Sequence, residues 1–157
     1  MDVKIKRFIL GIVTSEHDLT LATIRPDGYP QANTVSYAND GLVLYFGTMR
    51  DSQKLKNLQH CNRISLTIVV PYVDWADIRG LSMGGTAHVL LDDASESRHA
   101  AELVARRYPA ALDSPPPGDP GKIVFIKITP QIVSVLDYRK GVGYSQLVEV
   151  TPGDLGR

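Results

Sequence analysis

The chain has 157 residues, with 17 basic and 17 acidic side chains and therefore no formal net charge. Its apolar share of 43% and charged share of 22% are typical of a globular protein, and we expect residues 1–157 to form a single domain. The balanced charge argues against a nucleic-acid partner, because neutralising phosphates normally requires a basic excess. With Cys61 as the only cysteine, the sequence excludes an intrachain disulfide and a cysteine cluster for zinc.

The first predicted element is a short amphipathic helix over residues 3–15. Its apolar residues fall on one stripe at helical spacing, opposite Lys4, Lys6 and Arg7: Ile5, Phe8, Ile9, Ile12 and Val13. The apolar stretch near the N-terminus is too short and too interrupted to predict a signal or membrane segment. We therefore expect a cytoplasmic protein without a membrane partner.

Strands dominate the next part of the chain. Residues 19–25, 31–37 and 42–48 are rich in β-branched and aromatic side chains, and Asp-Gly turns separate them. This pattern predicts two successive β-hairpins, the second formed by residues 31–37 and 42–48 around Asp40-Gly41.

The remaining segments are two helices and further strands. Residues 51–60 predict a helix with Asp51 as N-cap, in which polar residues surround Leu55 and Leu58. A second helix is predicted over residues 93–108, with Asp93 as the cap and Glu96 three residues on, as a capping box requires. Strands are expected at residues 63–70, at 81–91 with a bulge at Gly84-Gly85, and as one or two strands after a proline-rich loop at 113–121. The total of about six strands without strict βαβ alternation favours an antiparallel barrel.

The most informative segment for function is the strand-to-helix turn from Thr48 to Lys54. Free backbone N–H groups and the helix dipole attract an anion to a helix start, and Ser52 and Lys54 add a hydroxyl and a positive charge. Arg50 and Thr48 are further candidates. The alternative is an ordinary capped surface helix whose polar side chains only face water.

The order of elements, with TIRPDGYPQANTVSY, LYFGT and DSQKLKNLQHCNRISLTIV, resembles the FMN-binding split-barrel superfamily that includes pyridoxamine 5′-phosphate oxidase. The resemblance implies a mainly β fold with peripheral helices, a six-stranded antiparallel Greek-key split β-barrel. It also implies FMN bound at the interface of a homodimer, with the flavin phosphate at the strand-to-helix turn. The activity implied is a flavin-dependent oxidoreductase that uses a small-molecule substrate or a nicotinamide electron donor.

By resemblance, one set of residues contacts the phosphate and ribityl groups: Thr48, Met49, Ser52, Gln53 and Lys54. A second set, on the strand that lines the flavin ring, comprises Asn33, Thr34, Val35 and Ser36. Trp75 could stack on the ring, although a lone tryptophan is more often a packing residue. Lys140, with Tyr138 and Arg139, is a further candidate cofactor contact. Ser36 or Tyr37 could donate a proton, but no catalytic residue is assigned.

Two differences from pyridoxamine 5′-phosphate oxidase bear on the substrate. The turn reads Ser52-Gln53-Lys54 where that enzyme has serine-arginine-lysine, and the C-terminal sequence lacks an arginine-rich segment. The sequence therefore favours flavin binding over oxidation of pyridoxamine phosphate. A non-catalytic flavin carrier is the main alternative, and deazaflavin F420 or haem could replace FMN. The four histidines show no metal-ligand spacing, and no metal is expected.

Overall fold

The computed structural model describes residues 1–110 and 120–156. The helices are α1 (Val3–Ser15), α2 (Gln53–His60) and α3 (Ala94–Arg107). The strands are β1 (Asp18–Ile24), β2 (Pro30–Ser36), β3 (Ala38–Asp40), β4 (Val43–Met49), β5 (Arg63–Val69), β6 (Arg79–Val89), β7 (Ile123–Asp137) and β8 (Ser145–Glu149). Short 3-10 turns lie at Trp75–Asp77, Pro120–Lys122, Tyr138–Lys140 and Pro152–Asp154.

The strands form one antiparallel sheet in the order β2-β1-β5-β6-β7-β4-β3, with β8 paired to β7. The mainly β, antiparallel split-barrel class predicted from the sequence is confirmed. The predicted strand number of six is wrong, because the described residues contain eight. The two additional strands are short: β3 has three residues and β8 has five.

The predicted second hairpin forms differently. The turn at Asp40-Gly41 joins β4 to the short β3, whereas β2 pairs only with β1 and lies at the opposite edge of the sheet. Gly41 has φ +59°, and a Cβ there would lie 2.1 Å from the carbonyl oxygen of Leu155. Only glycine therefore fits this turn without displacing the backbone.

The core lies between the sheet and helices α1 and α2. Ile9, Ile12 and Val13 of α1 are buried and Ile5 and Phe8 partly so, which confirms the predicted stripe. From the strands, alternate residues such as Leu44, Phe46 and Ile126 point into the same core.

Two local predictions hold. Asp93 caps α3 by accepting a hydrogen bond from the Glu96 N–H at 2.8 Å, whereas the Glu96 carboxylate accepts from the Tyr45 hydroxyl and does not complete a capping box. The register between β6 and β7 shifts at Gly84-Gly85, although the extra residue, Gln131, is on β7. The predicted proline-rich loop at residues 113–121 lies mostly outside the described residues. No helix in the described ranges is long and apolar enough to cross a membrane.

Candidate functional site

The candidate site is the turn between β4 and α2. Thr48 is nine-tenths buried, and its Oγ1 lies 3.0 Å from Ser52 Oγ. The N-cap is Ser52 and not Asp51 as the sequence predicted, because Ser52 Oγ accepts a hydrogen bond from the Leu55 N–H at 3.2 Å. Both residues are good N-caps, so propensity alone could not choose between them.

Two backbone N–H groups of this turn already donate hydrogen bonds. The Arg50 N–H donates to the Lys122 carbonyl and the Ser52 N–H to the Met49 carbonyl. The N–H groups of Gln53 and Lys54, in contrast, have no acceptor within residues 1–110 and 120–156, as expected for the first turn of a helix. Two adjacent amides are thus free to bind an anion.

Lys54 supplies the charge at this turn. Its side chain is half-buried, and its ammonium lies 5.7 Å from the centroid of the buried Phe46 ring. Burial lowers the pKa of Lys54 below its ordinary value. Among the described residues no carboxylate forms an ion pair with Lys54. A partly desolvated cation without an acidic partner is suited to bind an anionic ligand.

A buried amide connects this turn to the β1–β2 hairpin. Asn57 is fully buried, and its Nδ2 donates to Thr23 Oγ1 at 2.9 Å and to Gln31 Oε1 at 2.8 Å. Its Oδ1 accepts a hydrogen bond from Gln53 Nε2 at 2.9 Å. The helical pattern predicted that polar residues surround Leu55 and Leu58, but it did not indicate that Asn57 is buried. The neighbouring buried leucines were the only sequence signal that could have indicated it.

The predicted ring-lining residues lie along β2, at the edge of the sheet. Val35 packs into the core, so its side chain cannot line a ligand outside the barrel. Thr34 and Ser36 are exposed, and Ser36 Oγ donates to Asp18 Oδ1 at 2.5 Å. Asn33 is half-buried and lies two residues beyond Gln31 on the same face of the strand.

Trp75 and Lys140 lie far from the turn along the sheet. Trp75 is 55% exposed and packs edge-to-face on Tyr138, with 5.4 Å between ring centroids. Lys140 lies over the Tyr144 ring, 5.0 Å from its centroid. Both adjoin the Asp137 end of β7, whereas the β4–α2 turn adjoins the Ile123 end. The two groups therefore lie at opposite ends of the 15-residue strand β7.

A separate open cleft of about 550 Å³ lies between α3, β6 and β7, and none of the predicted site residues line it. Within the cleft, Lys127 Nζ lies 3.0 Å from Glu96 Oε1, which also accepts a hydrogen bond from the Tyr45 hydroxyl at 2.6 Å. Burial and the adjacent carboxylate raise the pKa of Tyr45 well above its ordinary range. In this cleft Lys127 has a carboxylate partner, in contrast to Lys54.

Comparison with known proteins identifies the class of this chain. The family model described as Pyridoxamine 5′-phosphate oxidase matches residues 5–137, which is most of the chain. The protein therefore belongs to this family, as the sequence resemblance predicted. A comparison with curated protein sequences finds no match.

Several solved structures share the fold. A conserved hypothetical protein from Mycobacterium tuberculosis is 25% identical, with a TM-score of 0.72 over 98% of this chain and 94% of that chain. A pyridoxinephosphate oxidase family protein from Clostridium acetobutylicum is 20% identical, with a TM-score of 0.68 over 96% of this chain and 97% of that one. A heme binding protein from Mycobacterium smegmatis is 20% identical, with a TM-score of 0.78 over 95% of this chain. This chain spans 59% of that protein's length.

Proposed function

We propose that the protein binds FMN with its phosphate at the β4–α2 turn and acts as a flavin-dependent oxidoreductase. The observation that supports the proposal is a set of groups at this turn that have no partner within residues 1–110 and 120–156: the N–H groups of Gln53 and Lys54, and the Lys54 ammonium. These are the groups that bind a phosphate at a helix N-terminus. The Thr48 and Ser52 hydroxyls hydrogen-bond to each other at 3.0 Å, which leaves one of the two O–H groups free to donate.

The same residues fit a phosphate better than a surface helix facing water. A capped surface helix would have no reason to hold a half-buried lysine away from carboxylates, because partial desolvation of a charge costs free energy. A dianionic phosphate beside the ammonium would offset that cost. The chemical fit therefore supports a phosphorylated cofactor over an unphosphorylated one.

We propose that a second copy of the chain completes the site. The outer face of β1, β2, β5 and central β6 carries small, uncharged side chains that are exposed or half-buried: Thr20, Ala22, Ala32, Thr34, Ser65, Thr67, Ser82 and Gly84. Among the described residues of these strands, charges occur on this face only at strand ends, at Asp18 and Arg63. A sheet face depleted of charge resembles the centre of a protein–protein interface. In such a homodimer, Trp75 and Lys140 of the partner subunit would approach the flavin.

FMN and the protein residues have different roles in the proposed reaction. When bound, FMN supplies the hydride and electron transfer. The residues of this chain anchor the phosphate at Ser52, Gln53 and Lys54 and orient the ring along β2. With one cation fewer than serine-arginine-lysine at this turn, we propose a small-molecule substrate other than pyridoxamine phosphate, with a nicotinamide as electron donor. The single domain and the cytoplasmic location remain predictions.

Haem binding is the second candidate, because one structure with this fold is a heme binding protein. The absorption spectrum of the purified protein tests both. The two visible bands of an oxidised flavin are expected, a single deazaflavin band would indicate F420, and a Soret band would indicate haem. A colourless protein that binds none of the three would overturn the site assignment. Steady-state oxidation of NADH or NADPH by the FMN-loaded protein then distinguishes an enzyme from a flavin carrier.

A further inference from the structure

Every polar atom of the buried Asn57 side chain forms a hydrogen bond, and the partners lie on α2 and on the β1–β2 hairpin. Its two N–H groups donate to Thr23 Oγ1 and Gln31 Oε1, and its carbonyl oxygen accepts from Gln53 Nε2. Thr23 and Gln31 are directly opposite each other in the β1–β2 register. One amide therefore fixes the first turn of α2 to both strands of the hairpin.

Two of the three partners do not depend on Asn57 for satisfaction. Gln53 is exposed and Gln31 half-buried, so both could hydrogen-bond to water if Asn57 were apolar. Thr23 is only 2% exposed, so its hydroxyl would lose a partner and the fold would lose some stability. A fully satisfied buried network also specifies one relative position of the elements that it joins.

The two elements joined are those that the proposed function assigns to one cofactor. Gln53 belongs to the phosphate turn, and Gln31 lies on the same face of β2 as the predicted ring-lining residue Asn33. We infer that Asn57 is a positioning residue: it holds the free amides of the β4–α2 turn at a fixed distance from β2, so that the phosphate and the ring of FMN are bound together. This inference rests on the proposed FMN site.

The test compares FMN with riboflavin, which lacks the phosphate. The ratio of the riboflavin dissociation constant to the FMN dissociation constant measures the contribution of the phosphate turn. In Asn57→Leu we expect this ratio to fall about three- to tenfold, corresponding to the loss of one to two well-aligned hydrogen bonds. Gln31→Met, at a half-buried edge position, should change the ratio in the same direction and serves if Asn57→Leu does not fold. Thr23→Ser keeps the accepting hydroxyl and should leave the ratio unchanged.

The outcomes separate the inference from the function on which it rests. If Asn57 only stabilised the fold, its variants would lower the melting temperature without changing the ratio at a temperature where all variants are folded. That result, with wild-type protein that prefers FMN, would overturn the positioning role alone. Wild-type protein that binds neither flavin, or binds both equally, would overturn the phosphate site and the positioning role together.

Discussion

Replacing Lys54 by methionine gives the most discriminating test of the phosphate turn. Methionine retains most of the length of the side chain but removes the ammonium, which lies 5.7 Å from the centroid of the Phe46 ring. A charge-assisted hydrogen bond is worth about 1.5–3 kcal/mol, so the affinity for FMN should fall about ten- to a hundredfold. The partly buried position of Lys54 limits screening by solvent, which favours a value within this range.

The same substitution should not weaken the fold. Because burial lowers the pKa of Lys54, the ammonium is less favoured in the folded chain than in the unfolded chain. Its presence at neutral pH therefore costs stability, and this cost would be relieved only as pH rises through the lowered pKa. The ligand-free Lys54→Met protein should melt at the same temperature as wild type or at a higher one.

Lys56→Met is the matched control, because Lys56 is an exposed lysine of the same helix. Its affinity for FMN should equal that of wild type within about twofold. Fluorescence quenching of FMN on titration gives both dissociation constants, and thermal melts of the ligand-free proteins give the stabilities. Equal FMN affinities for Lys54→Met and wild type would refute the phosphate assignment and return the turn to a capped surface helix.

Three further predictions concern pH and the fold. The affinity for FMN should be greatest above a pH of about 6, where the phosphate is a dianion. It should fall as pH rises through the lowered pKa of Lys54, because a neutral amine cannot pair with phosphate. An affinity that does not change with pH up to the ordinary lysine range would contradict this prediction. Arg139 lowers the pKa of Asp137, so this pair stabilises the fold above the ordinary aspartate pKa and the contribution is lost as pH falls toward the lowered value. Melts of Asp137→Asn should accordingly depend less on acidic pH than those of wild type. Gly41→Ala should destabilise the protein by at least about 1–2 kcal/mol in chemical denaturation, because the turn requires a positive φ and a Cβ would meet the Leu155 carbonyl; unchanged stability would show that the turn adopts another conformation.

Local features of the fold were predictable because their causes are local. The stripe of α1 and the Asp93 cap depend on residues at most four positions apart. The short strands β3 and β8 were not predictable, because they owe their conformation to pairing with β4 and β7 and not to β-branched sequence. The separation of β2 from β4 likewise follows from the order of the whole sheet.

The residues of the candidate site also differ in whether the sequence could predict their contacts. Thr48, Ser52, Gln53 and Lys54 are close in sequence, so a motif was sufficient to predict that they meet. Asn57 contacts residues 34 and 26 positions away, and no pattern within α2 specifies those partners. The separation of Trp75 and Lys140 from the turn could not be predicted from the sequence either, because it depends on the register of β7 with its neighbouring strands.

The most direct test of the central claim is the response of the backbone amide resonances to FMN in a nitrogen-15 NMR titration. If the flavin phosphate binds at the β4–α2 turn, the N–H groups of Gln53 and Lys54 gain an acceptor and their proton resonances should shift downfield with increasing FMN. Riboflavin should not produce these shifts. Downfield shifts confined to the cleft around His88 and Glu96, with Gln53 and Lys54 unchanged, would contradict the assignment.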